Sequence, residues 1–133
     1  MIAHETKLKS INRCIMKAKI TKLYLDDIRE PKNEYDVIVR SYEDAVNYIL
    51  KNGIPNFISF DHDLGLNSDG SIAKNGYDLA KWLVEQSLDE KLKFPKDFSF
   101  YVHSANPIGR HNIESILNNY LLFKIKFDEE SDR

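Results

Sequence analysis

The chain has 133 residues, with 19 basic against 21 acidic side chains for a formal charge of −2, 42% hydrophobic residues and a single cysteine. This length suits one domain with its own core, the lone Cys14 excludes an internal disulfide scaffold, and the balanced charge excludes nucleic-acid affinity driven by bulk charge. No apolar run approaches the ~18 residues of a membrane span and no secretory leader pattern is present, so a cytoplasmic protein is expected, with any phosphate recognition local.

Residues 1–19 read as a basic extension, with Lys7, Lys9, Arg13, Lys17 and Lys19 against Glu5, and Leu8, Ile11 and Ile15 recur there at helical spacing. A domain is expected over residues 20–127, followed by an acidic tail over 128–133. Within the domain, short runs at 22–25, 36–39, 57–60, 99–102 and 122–127 are rich in β-branched and aromatic residues. They read as five strands, most without the alternation of a half-exposed sheet. Ser41 with Asp44 three residues on starts a first helix, whose apolar face is Tyr42, Ala45, Val46 and Ile49 and whose end is Gly53. A second helix runs from about residue 77 to 88, with Leu79, Trp82, Leu83 and Gln86 at a 3.6-residue period. Asn106 before Pro107 caps a third, with Ile113, Ile116, Leu117 and Tyr120 as its stripe.

This order predicts an α/β fold with a mostly parallel five-stranded sheet of order 2-1-3-4-5 and right-handed crossovers. The segment at 26–35 is too short for a usual parallel crossover with its helix. An irregular loop is expected there, and an antiparallel second strand is the alternative.

Ligands of such sheets sit beyond the carboxyl ends of the strands, where strand order reverses. The first strand runs into Asp26 and Asp27 and on to Arg29, the third into Asp61, His62 and Asp63, and the fourth into His103 and Ser104 before Asn106. Order 2-1-3-4-5 makes these three strands neighbours, so the groups converge. Carboxylates that close repel unless a cation neutralises them, and hard oxygen ligands suit Mg²⁺ or Mn²⁺. The helix start after Pro107, with Gly109 allowing close backbone approach and Arg110 and Arg29 adding charge, reads as a phosphate cradle. His62 and His103 are suited to proton transfer near neutral pH, with His111 a third candidate.

Four segments, LDDIREP (25–31), SFDHDLG (59–65), NGYDLAKWL (75–83) and VHSANPIGRHNI (102–113), resemble the motifs of the cyclic-phosphate processing receiver-like domains, relatives of the response-regulator receiver fold. The resemblance covers roughly residues 20–127. It implies a receiver/flavodoxin-like fold and a metal-assisted phosphoesterase acting on a nucleotide or RNA end that bears a cyclic phosphate. It also implies that Asp26 and Asp27 hold a divalent cation and that Asp61 stands where receivers accept a phosphoryl group; with the histidines above, Asp26, Asp27 and Asp61 are expected to position the cation and Asp61, His62 and His103 to be catalytic. Arg29, Ser104, Asn106, Gly109, Arg110 and His111 are the residues expected to bind substrate, Ser104 matching the hydroxyl residue that receivers carry after strand four.

Departures from receivers accompany the match. Lys124 and Lys126 offer no lysine followed by proline after the last strand, and the helices that receivers place after strands one and five are missing. Their absence predicts that the N-terminal segment, or a second subunit in a homodimer, shields one sheet face. Two other readings stay open: a receiver-like switch that accepts a phosphoryl group on Asp61, and a module that binds a cyclic nucleotide or other phosphorylated ligand without turnover.

Overall fold

A computed structural model describes residues 20–131 of the chain. The expectations for the N-terminal extension, Cys14 included, lie outside the described residues. The elements follow in the order β1 (Lys22–Leu25), β2 (Val37–Val39), α1 (Tyr42–Asn52), β3 (Phe57–Phe60), α2 (Gly76–Leu88), β4 (Ser99–Val102) and α3 (Pro107–Ser131). All strand pairs are parallel and the sheet order is β2-β1-β3-β4. The segment between β1 and β2 is an irregular loop, and the antiparallel alternative falls away.

Helix starts follow from local chemistry. The Ser41 hydroxyl accepts the Asp44 N–H at 3.0 Å, and Gly53, at φ +89, ends α1. At α2 the cap is reciprocal: Asn75 Oδ1 accepts from the Asp78 N–H and Asp78 Oδ2 from the Asn75 N–H, at 3.0 and 2.8 Å. Such a box satisfies two of the orphan donors at a helix start.

The strands turn alternate residues to opposite faces. Leu23, Leu25, Ile58, Phe60, Val39 and Val102 join Ala45, Ile49, Leu79, Leu83, Ile113 and Leu117 in a buried cluster, so the three helices cover one face. The other face carries Lys22, Tyr24, Ile38, Phe57, Ser59, Ser99 and Tyr101. Its partial cover has a topological cause. The step from β1 to β2 runs opposite to the later steps, so a right-handed connection crosses this second face. Here that connection is a short loop, and its Tyr35 ring leans on Tyr24 with centroids 5.1 Å apart and on Phe57 at 6.2 Å.

One expectation needs correction. Residues 122–127 do not form a fifth strand; they continue α3, and β4 is the edge of a four-stranded sheet. Ile113 and Leu117 are fully buried, Ile116, Tyr120 and Leu121 extend the same stripe against the core, and no glycine or proline follows Gly109 to stop the helix. Propagating an existing helix costs far less than nucleating a new element, so tertiary context overrides the strand-like composition. Phe123 and Phe127, one turn apart, stack at 6.2 Å. Lys124 and Lys126 therefore sit in the latter part of α3, not at a strand end. Among the described residues no helix is long and apolar enough to cross a membrane.

Candidate active site

The parallel ladder runs one residue past the strands. Leu25, Phe60 and Val102 share a register row, and beyond it the Asp61 N–H donates to the Leu25 carbonyl and the His103 N–H to the Phe60 carbonyl, both at 2.9 Å. Asp26, Asp61 and His103 therefore form the next row, at the carboxyl edge on either side of β3. Alternation turns them to the face of Tyr24, Ser59 and Tyr101. The backbone, not a flexible loop, sets their convergence: one ligand atom from each lies within 4.8 Å of the others.

Asp26 is fully buried. Its Oδ1 accepts from the N–H groups of Ile28 at 3.0 Å and Arg29 at 2.8 Å, and its Oδ2 lies 3.0 Å from Nε2 of His103. Burial alone would raise its pKa, but the Arg29 and Ile28 N–H groups and the His103 imidazole together hold it below the ordinary carboxylate value. Asp61 is displaced the other way. Burial and then the charge of Asp26 push it up, against the attraction of His103 and the N–H of His62, which donates to its Oδ1 at 2.8 Å. The first acid is ionised and fully bonded; the second carries the repulsion.

An ionised Asp26 can only accept, so Nε2 of His103 carries the proton. Nδ1 then faces the Ser59 hydroxyl at 2.8 Å and accepts from it when the ring is neutral. The ring also stacks on Tyr24, 4.6 Å between centroids and 6° from parallel. Ser59 is buried and was missed by sequence reasoning. The signal that could have found it is a hydroxyl inside an apolar strand, two residues before Asp61 and so on the same face.

Two carboxylates, one of them destabilised by the other, with an imidazole in reach are a donor set that fits a divalent cation. The carboxylate oxygens suit a hard cation such as Mg²⁺ or Mn²⁺. Asp27 is not in this group of three; its Oδ2 lies 3.1 Å from where a Cβ on Gly65 would stand, at a turn where Gly65 adopts φ +79.

The other expected site residues fall into two places. Arg29 lines a cavity of about 370 Å³ together with Tyr24, Ser59, Tyr101 and His103. Ser104, Arg110 and His111 line a different cavity, beside the start of α3. Their polar atoms have structural partners there. The Ser104 hydroxyl accepts from the Asn106 N–H, and the Asn106 side chain caps α3 through the Gly109 N–H at 3.0 Å. Nη2 of Arg110 donates to the Val102 carbonyl at 3.0 Å, and His111 is exposed near Ser115. Gly109 makes room for a side chain, since a Cβ there would stand 2.3 Å from the His62 ring. That ring is largely buried, with Nδ1 2.9 Å from Asp63.

A parallel sheet that reverses strand order between β1 and β3, with acids and an imidazole at the carboxyl ends, defines a receiver-like α/β domain. The model of the cyclic-phosphate processing receiver domain matches residues 21–119, and the chain belongs to that family. No curated protein and no solved structure gives a significant match.

Proposed function

We propose that the protein is a metal-assisted phosphoesterase that opens a cyclic phosphate on a nucleotide or RNA end. The observation that supports this reading is the single row of Asp26, Asp61 and His103 at the carboxyl edge, in a chain whose family is described by cyclic-phosphate processing. A bound Mg²⁺ or Mn²⁺ would neutralise the two acids and polarise a phosphoryl oxygen. Asp61 is the acid whose ionisation such a cation relieves most. Arg29, whose guanidinium has no hydrogen-bonded partner among the described residues, orients the phosphate from the cavity rim. Asp26 fixes the orientation of the His103 ring by accepting from its Nε2–H. In the reaction a water oxygen bonds to phosphorus, one ring P–O bond breaks, the departing oxygen takes a proton from the imidazolium form of His103, and the proton lost by the water passes to solvent.

The test is to incubate the protein and Mg²⁺ or Mn²⁺ with 2′,3′-cyclic and 3′,5′-cyclic nucleotides. Ring opening is expected, reduced at least ~100-fold in Asp61→Ala and in His103→Ala. No opening with either metal overturns the enzyme reading, and tight binding of intact ligand then assigns a capture module. A mass increase with acetyl phosphate that requires Asp61 would instead assign a phosphoacceptor switch.

A further inference from the structure

One register row short of the acids, the second face carries Tyr24, Ser59 and Tyr101 on three adjacent strands. Neighbouring strands lie about 4.8 Å apart, so the two tyrosines flank a gap of roughly 9–10 Å between backbones. Between them lie the Ser59 hydroxyl and the His103 ring, which bonds that hydroxyl at 2.8 Å and covers one face of Tyr24. Tyr24 is buried, braced by Tyr35 on one side and stacked on His103. Tyr101 is 57% exposed. The cavity of about 370 Å³ over this row is rimmed by Arg29, Lys32 and Asn33 from the β1–β2 loop and reaches His103. Arg40 steadies that loop, donating to the backbone carbonyl of Asp26 at 3.2 Å and pairing with Glu30.

The exposed ring of Tyr101, a polar floor of Ser59 and His103 and a rim of donors next to an anion-handling site select one kind of ligand. An aliphatic chain would waste the donors, and a bare phosphate would leave the tyrosine surface uncovered. A planar ring with polar edges satisfies both, and rings of this type stack on tyrosine with little dependence on sequence. We infer that the Tyr24–Ser59–Tyr101 row is a nucleobase pocket: the base stacks on Tyr101, its edge meets Lys32 and Asn33, and the attached phosphate is directed towards Arg29, His103 and the acids. The identity of that phosphate as a ring rests on the proposed activity; the pocket's preference for a base does not.

The pocket is therefore tested with nucleosides, which carry no phosphate. Adenosine, guanosine, cytidine and uridine are titrated into the full-length protein in chelator, with binding read by calorimetry or ligand-observed NMR. At least one nucleoside is expected to bind, about tenfold or more weaker in Tyr101→Ala and nearly restored in Tyr101→Phe. Tyr101 lies outside the buried cluster, and a thermal melt checks that the variants fold. If a cyclic phosphate is turned over, the ratio of kcat/KM for the cyclic nucleotide to that for glycerol 1,2-cyclic phosphate falls by a similar factor in Tyr101→Ala. Nucleosides that do not bind, or bind equally to wild type and Tyr101→Ala, overturn the pocket while ring opening can still be observed. Nucleoside binding lost in Tyr101→Ala with no ring opened sustains the pocket and overturns only the enzyme.

Discussion

The two faces of the sheet are built from the same four strands, one residue out of phase. On the helix side Leu25, Phe60 and Val102 make a row that excludes water entirely or nearly so. One residue further along, on the other side, Asp26, Asp61 and His103 make a row that gathers charge. The hydrophobic row holds the strands in register, and register in turn holds the polar row. Because side chains alternate with a period of two, a slip of one residue would exchange the two sets. The chemistry of the site is thus inherited from the packing of the core.

The sharpest contrast is between adjacent residues of β3. Phe60→Ala empties a fully buried site and is expected to cost about 3–5 kcal/mol in a denaturant titration. Ser59→Ala, one residue away and also buried, removes one hydrogen bond and is expected to cost about 1 kcal/mol. It should instead shift the His103 ring resonances in NMR spectra, since it removes the hydroxyl that faces Nδ1. Equal losses of stability would break the division between a packing face and a chemical face.

A smaller effect than the Phe60 truncation is expected where a helix crosses the site. A Cβ on Gly76 would stand 2.0 Å from the Asp61 carbonyl oxygen, a backbone atom that cannot rotate away. Gly76→Ala is expected to destabilise by about 1–3 kcal/mol and to displace Asp61, so that cation-induced stabilisation falls with it. A variant as stable as wild type would show that α2 can move without disturbing the acid row.

Asp61→Asn tests the sign of the electrostatics. The wild-type acid has a raised pKa in the fold, from burial and then the charge of Asp26. Its ionised form costs stability above that folded pKa, and the cost is relieved as pH falls towards the unfolded value. Without metal at neutral pH the variant should melt a few degrees higher than wild type, with the difference closing on mild acidification. The rise in melting temperature that Mn²⁺ produces in wild type should be lost. For the same reason, wild-type Mn²⁺ affinity should weaken as pH drops through the raised Asp61 pKa. Asp26 behaves oppositely: its lowered pKa contributes stability above the unfolded value, lost as pH falls through the folded one. A metal-free Asp61→Asn protein that melts below wild type would mean the two acids do not repel.

Much of this was legible in the chain. The caps at Ser41 and Asn106 act through hydrogen bonds to residues three positions on, so local spelling reveals them, whereas the Asn75 cap two residues before the expected helix start shows only in the structure. Asp26, Asp61 and His103 were readable as strand-end residues because each follows a short β-rich run. Residues 122–127 misled because Leu, Phe, Ile and Lys serve a strand or a helix equally. What settled them was the stripe from Ile113 to Leu121, already packed on the core. Arg110 and Asn106 read as substrate ligands from their charge and position. Only coordinates show that Nη2 of Arg110 also donates to the Val102 carbonyl and that Oδ1 of Asn106 accepts from the Gly109 N–H.

The amino-acid order by itself determined the element sequence up to the third helix, the parallel sheet and the residues ending each strand, because periodicity, capping and turn chemistry act over a few neighbours. The tertiary structure alone decided that His103 lies with Asp26 and Asp61, that Ser59 holds its second nitrogen, and that Tyr24 and Tyr101 share one face of the sheet. Those relations join residues tens of positions apart, and only strand register sets their distances.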